Sequence, residues 1–387
     1  MGVDALESRG LIRLVAELAR AWLLDSAAPL WSSRGRLENG LFAERLPLLG
    51  APDDVPYRVF VQARHVYSFA EIGRMGWNGP WPELLDQTVS LILANARRGD
   101  GFFVNSLTAQ GDVYDARADL YVQAFVLLAF SAAGEALGRI DLFDEAERLA
   151  RLIHAQWSRR HGGYFEGEIV GGAIRRQNPH MHLLEAYLEL SRASGRTYFS
   201  DAADRIATLC RDRFLDRETG ALLEYFLEDW TPVPGDNGKT VEPGHCFEWA
   251  WLFERAAHEG WSDGTHLSDA LTAFGRQKGI DSARGIVMNE VLLDGTPRNS
   301  NARLWPQAER LKAAIARSRR ITDAQEFQEI LDAATGLSKY LRMDLPGLWR
   351  DKLNTDGRWV EEPAPGSSLY HITCSYAELA KEFRQND

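Results

Sequence analysis

Three stretches of the chain open a helical pattern with a proline and then set polar side chains one turn apart. In Asn178-Pro-His-Met-His-Leu-Leu-Glu, Pro179 takes the first helical position, and Asn178, His182 and Glu185 fall at i, i+4 and i+7 on one face. Glu242-Pro-Gly-His-Cys-Phe-Glu repeats the device with His245 and Glu248 one turn apart, and Arg303-Leu-Trp-Pro-Gln-Ala-Glu repeats it with Trp305 and Glu309. A fourth start, Ser367-Ser-Leu-Tyr-His, puts His371 in the first turn behind a serine cap. Phe60-Val-Gln-Ala-Arg-His embeds Gln62 and Arg64 in an apolar helix. Imidazoles titrating near neutrality beside carboxylates suit general acid–base proton transfer. The same residues could instead hold a divalent metal through His182, His245 and His371 with a Glu, although no HExxH occurs. Singly, each feature has a plainer explanation. A His–Glu pair at i, i+3 is commonly a solvated surface contact, and Glu309 could simply pair with Lys312 or Arg310. Their recurrence at one corresponding position, inside segments otherwise built to be buried, favours use, because buried polar groups are costly unless paired or employed.

The elements that must position these residues recur too. Gly-rich pieces begin at 35, 99, 162, 219, 285 and 355, steps of 64, 63, 57, 66 and 70, against one sixth of the 387 residues, about 64. Between them lie helical patterns in pairs. Asp119–Leu137 is apolar over a wide band, while Asp141–Gln156 is amphipathic, with Leu142, Phe143, Ala146, Leu149, Ala150 and Ile153 at helical spacing. The runs from Gly163 to Val170 and from Ala221 to Leu227 alternate as hairpin arms do. Six helix pairs bury both members only if they close into a ring. The expected fold is therefore all-α, an (α/α)6 barrel (toroid) with short β-hairpin insertions, in one domain over 1–387; a linear solenoid would need capping repeats, which are not evident.

Composition narrows the ligand. The formal net charge is −11, from 44 basic and 55 acidic residues, so no basic face is available for nucleic acid. Three widely spaced cysteines exclude a disulfide scaffold and fit a reducing compartment. The N-terminus carries Asp4 and Glu7 and is no signal peptide, and the longest apolar stretch, around Leu120–Ala133, is too short for a bilayer. No P-loop, dinucleotide fingerprint or GxSxG elbow occurs. A soluble cytoplasmic protein without membrane or nucleic-acid partners and without a cofactor is expected, with a homodimer left open.

Taken together, RVFVQAR (58–64), NPHMHLLEAYL (178–188), EPGHCFEWAWL (242–252), RLWPQAERLKA (303–313) and SSLYHI (367–372) resemble the N-acylglucosamine 2-epimerase family, most closely its mannose isomerase branch. The resemblance spans most of the chain and implies an (α/α)6 barrel acting on a monosaccharide. It implies that His245 and His371 form the acid/base pair and that His182 helps open the ring. Arg64 would hold substrate oxygens, Asn178 would touch the sugar, and Tyr121 and Trp305 would line its site. Glu248 and Glu309 would orient substrate and imidazoles, Glu248 fixing the tautomer of His245. The implied reaction is D-mannose to D-fructose through a cis-enediolate. Returning the proton to the opposite face of C2 would give 2-epimerisation instead. A glycoside hydrolase using Glu248 and Glu309, or a non-catalytic carbohydrate-binding ring, are the competing classes. No added cluster of Arg or Lys accompanies Arg64 in the matched segments, a hint against a phosphorylated sugar, although Arg175, Arg176 and Arg303 lie near.

Overall fold

Two kinds of helix alternate along the chain, and their difference dictates the architecture. In the computed structural model, residues 3–51, 55–169 and 174–383 are described; Pro52 and residues 170–173, which fall in two of the Gly-rich pieces, lie outside the described residues. Twelve long helices are found among the described residues. The first six are α1 (Val3–Trp22), α2 (Val59–Arg74), α3 (Trp81–Leu91), α4 (Leu120–Leu137), α5 (Ile140–Trp157) and α6 (Asn178–Ser194). The others are α7 (Thr197–Leu209), α8 (Pro243–His258), α9 (Gly264–Lys278), α10 (Leu304–Ser318), α11 (Ala324–Ser338) and α12 (Ser368–Phe383).

Helices α2, α4, α6, α8, α10 and α12 are buried around almost their whole circumference; in α6 every residue from Pro179 to Leu190 is buried. The others bury one stripe, as α5 does through Leu142, Phe143, Ala146, Leu149, Ala150, Ile153 and Trp157. A helix buried on all sides needs neighbours on all sides. The six buried helices accordingly touch in ring order, α2 to α12, and α12 packs back against α2. The striped helices form the outer layer, with α1 against α11 and α12. The sixth pair thus joins the two ends of the chain: α12 supplies its inner member and α1 its outer. The fold is the (α/α)6 toroid expected from the period.

The sequence reading placed the apolar run of α4 at about 120–133, too short for a membrane. The helix runs 18 residues and has the length and composition to span one, with mean hydropathy 1.6. Its apolarity serves packing, since 78% of those residues are buried within the ring. Gly138 at φ 66° closes it in the left-handed conformation that glycine adopts freely.

At the end of the ring where the inner helices begin, the Gly-rich pieces form a rim. The expected hairpin arms shrink to single bridges, Ser158 with Tyr164 and Leu215 with Leu222 among them. Short hairpins stand elsewhere, Ser106–Leu107 with Val113–Asp115 and Glu290–Leu292 with Pro297–Asn299, and further pairing runs between repeats. The residues leading into each inner helix bridge to the following repeat: Tyr57–Arg58 to Ser106–Leu107, Asp119 to Gly167, and Arg175–Arg176 to Tyr225–Phe226. Thr240–Val241 then joins Glu290–Leu292, Ala302–Arg303 joins Lys352–Leu353, and Ala364–Pro365 returns to Arg45–Leu46. A buried side chain of the helix ties each rim piece down. Gln62 exchanges two hydrogen bonds with the backbone of Phe42, Gln123 with Phe103, and Gln307 with Val287, each at 2.7 to 3.0 Å. His180 does the same work one-sidedly, Nε2 accepting from Tyr164 N–H at 3.0 Å. Those bonds hold the first turns of the inner helices in register, and those turns carry the polar residues singled out above.

Candidate active site

His245 enters from the first turn of α8, and its neighbours make it a cation. Glu224, on the rim piece before α8, faces Nδ1 with both carboxylate oxygens at 3.0 and 3.1 Å. Gln177 Nε2 donates to Glu224 Oε2 at 2.8 Å, and Trp249 Nε1 donates to Gln177 Oε1 at 2.7 Å, so the carboxylate is itself held. All four side chains are buried. Burial disfavours a charged imidazole, but Glu224, Glu242 and Glu248 outweigh it and raise His245 to about 10. Burial and the charge of Glu224 likewise lift Glu242 to about 7 against the pull of His245. The Asn178 amide lies 3.1 Å from His245 Nε2, and its Oδ1 has no hydrogen-bond partner. An imidazolium needs an acceptor there, which a half-turn of that amide supplies.

His371, in the first turn of α12, is biased the other way. Its Nδ1 lies 2.6 Å from Glu309 Oε1, and Glu309 Oε2 lies 2.7 Å from Lys312 Nζ, one turn along α10. Glu309 and Lys312 are wholly buried, and the ammonium also faces the Trp251 ring at 3.8 Å. Burial works against a charged Lys312, yet Glu309, Glu248 and Glu185 hold its pKa above the usual lysine range. Burial and the positive charges of Arg64, Lys312 and Arg303 keep His371 well below the usual imidazole range. With Nδ1–H donating to Glu309, Nε2 keeps a free lone pair.

One indole connects the two. Trp305, half-buried on α10, has its ring 4.9 Å from that of His245 and 5.8 Å from that of His371. Behind them, His182 Nδ1 lies 3.3 Å from Glu185 Oε2 and 3.9 Å from Glu248 Oε1, and Tyr370 donates to Glu185. Burial lowers the pKa of His182 despite both carboxylates. The ring of His182 meets Tyr121 edge-on at 5.1 Å, and Tyr121 Oη receives Arg64 Nη2 at 2.8 Å. Arg64 Nε and Glu248 Oε1 are buried without hydrogen-bond partners.

Every candidate residue therefore converges on one end of the ring: Arg64, Tyr121, Asn178, His182, His245, Glu248, Trp305, Glu309 and His371. One assigned contact differs. Glu248 does not fix the tautomer of His245, because Nδ1 is already engaged by Glu224. Glu248 instead lies within reach of two clusters, His182 with Glu185 and His371 with Glu309. Helical geometry explains the difference, since i+3 puts Glu248 deeper in the ring than the rim-facing imidazole. Asn178 reaches His245 itself. Sequence reasoning missed Glu224 and Gln177 altogether. The only signal for Glu224 was a lone charge inside the apolar run Ala221–Leu227.

Among the described residues, three groups bring ligand-type atoms within 4.8 Å of each other: His182, Glu185 and Glu248; Glu224, Glu242 and His245; Glu248, Glu309 and His371. The donor sets fit proton transfer better than a divalent ion, since each imidazole Nδ1 faces a carboxylate and Lys312 neutralises Glu309.

A family model described as N-acylglucosamine 2-epimerase (GlcNAc 2-epimerase) matches residues 40–375. The chain belongs to the N-acylglucosamine 2-epimerase family. It is similar to a mannose-6-phosphate isomerase of Rhizobium meliloti (strain 1021), 39% identical over 389 residues and 98% of each chain. It is 28% identical over 351 residues to a D-mannose isomerase of Pseudomonas cannabina pv. alisalensis, 80% of each chain. The solved cellobiose 2-epimerase of Spirochaeta thermophila DSM 6192 superposes with a TM-score of 0.87 at 20% identity, covering 97% of this chain and 98% of that one. The protein is thus a sugar isomerase or epimerase of this family.

Proposed function

We propose that the protein interconverts a mannose-configured aldose and the corresponding ketose, as D-mannose to D-fructose, with His371 as base and His245 as acid. The observation that carries this is the pair of imidazoles on one indole, poised in opposite protonation states. A neutral imidazole and an imidazolium at the same pH are what an acid/base pair requires. In the proposed reaction His182 helps open the ring, and His371 Nε2 takes the proton from C2 of the open-chain sugar. Arg64 and His245 donate to the oxygens that become negative in the cis-enediolate, which lowers the barrier most where those donors are already fixed. The proton returns to C1 to give the ketose. Tyr121 and Trp305 line the sugar, Asn178 positions His245, and Glu309 positions His371.

Two of the proteins named above are isomerases, of a phosphorylated and of a neutral mannose, and the solved one is a cellobiose 2-epimerase; the two isomerases support isomerisation and leave the substituent at C6 open. The site gives a glycosidase little: Glu309 is fully buried and engaged by His371 and Lys312, so it is unavailable to a leaving oxygen. The three cysteines are buried and unpaired, in keeping with a reducing compartment.

The test is turnover in D2O. Mannose should give fructose carrying deuterium at C1, read by NMR, because the transferred proton resides on an exchangeable imidazole. Fructose formed without deuterium would refute the enediolate, and absence of conversion across mannose, glucose, fructose and N-acetylmannosamine would refute the isomerase.

A further inference from the structure

The rim contains an internal control. Just before four inner helices, one residue donates its backbone N–H to a side-chain oxygen of the preceding Gly-rich piece. Arg58 donates to Glu44 (2.6 Å), Arg176 to Glu166, Glu242 to Glu224 (3.4 Å), and Arg303 to Asn289 (3.0 Å). The positions are equivalent: Arg58 precedes Gln62 by four residues as Arg303 precedes Gln307, and Glu44 follows Phe42 by two as Asn289 follows Val287.

At the first and third inner helices the same carboxylate also neutralises the arginine. Glu44 takes Arg58 Nε and Nη2 at 2.9 and 2.7 Å, and Glu166 takes Arg176 Nε at 2.8 Å. At the fourth inner helix the carboxylate turns to His245. At the fifth it is an amide. Asn289 satisfies the backbone of Arg303 but offers its guanidinium no charge. Its carboxylate contact is the looser one to buried Asp351, whose Oδ2 lies 3.6 Å from Arg303 Nε while Oδ1 accepts from Ser368 Oγ at 2.9 Å. The Arg303 side chain is 48% exposed. Arg175, also near the site, is consumed by the carbonyls of Gly162, Tyr164 and Glu228 and by the Trp230 ring.

Arg303 stands two residues before Trp305, and its charge is felt at Tyr121 on α4, at Glu242 just before α8 and at His371 on α12. We propose that Arg303, left without its repeat's carboxylate by Asn289, holds a phosphomonoester at the far end of the sugar, so that the substrate is a 6-phosphorylated hexose. A planar guanidinium binds phosphate oxygens in pairs, which a hydroxyl in their place cannot reproduce. The inference rests on the isomerase reading and adds the substrate class to it.

The two are separable by assaying mannose and mannose 6-phosphate side by side with the wild type, Arg303→Met and Asn289→Glu. The wild type should favour the phosphate by at least tenfold in kcat/KM. Arg303→Met should lose about that preference through the KM for mannose 6-phosphate, a loss at least tenfold larger than any change with mannose, which offers the guanidinium no phosphate. Asn289→Glu restores the pairing seen at Arg58 and Arg176 without touching Arg303, and should reproduce the same selective loss. Equal losses on both sugars, no preference in the wild type, or full phosphate activity in Asn289→Glu would each overturn the role of Arg303 while leaving the isomerase intact. Failure to convert either sugar would overturn the isomerase reading itself.

Discussion

Replacing Glu224 by Gln tests the electrostatics of the site without touching an imidazole. His245 stands at about 10, roughly 3.5 units above an ordinary histidine. That is about 5 kcal/mol of preference for the charged ring at about 1.4 kcal/mol per unit. Among the described residues, Glu224 supplies the only carboxylate oxygens within 3.1 Å of Nδ1; Glu242 lies at 3.8 Å. Without that charge only the more distant Glu242 and Glu248 oppose burial, so the buried ring should fall toward the ordinary histidine value of about 6.5. A catalytic acid is lost as pH rises through its pKa, so the alkaline limb of the rate profile should move from about pH 10 to about 6.5. At pH 8.5 a ring of pKa 6.5 is only about 1% protonated, so kcat should drop about 100-fold there and less than about twofold at pH 6. The assay is initial isomerisation rate from pH 5.5 to 10 for both proteins, with folding checked by circular dichroism. A loss of equal size at every pH would mean that Glu224 matters only for structure. An unmoved alkaline limb would remove His245 as the acid.

Replacing His371 by Gln keeps an amide against Glu309 but removes the base, so kcat should fall by about 10²–10⁴-fold with the melting temperature nearly unchanged; unfolding of the variant would instead mark His371 as structural. Stability should weaken in acid for a separate reason. His65, stacked 4.2 Å from Phe42 with neither ring nitrogen partnered, is held at about 3 by burial and the charge of Arg36, and burial with nearby Arg175 holds His180 at about 3. Both are neutral when folded, so their stability is complete above about pH 6.5 and is lost as pH falls toward 3, each costing about 2 kcal/mol by pH 5. His65→Phe, which keeps the stack, should flatten that decline between pH 7 and 5 in urea melts; an unchanged slope would show that His65 is not its source.

Periodicity and local pattern carried much of this architecture. Glycine spacing near 64 residues and the contrast between all-round apolar and striped helices are properties of single segments, so the chain alone was enough to indicate a ring of six pairs. Proline at the first turn of α6 and α8 marked where the polar residues begin, because helical geometry sets which neighbours share a face. Which partner each imidazole meets was a different matter. His245 finds Glu224 21 residues back, and His371 finds Glu309 62 residues back, across helices whose packing sets the distances. Only ring closure, with α12 returning to α2, brings two histidines of ordinary intrinsic pKa onto one tryptophan, sets one among carboxylates and buries the other near Arg64 and Lys312. Burial then amplifies the charges that happen to be adjacent, and adjacency between distant segments is what the tertiary structure decides.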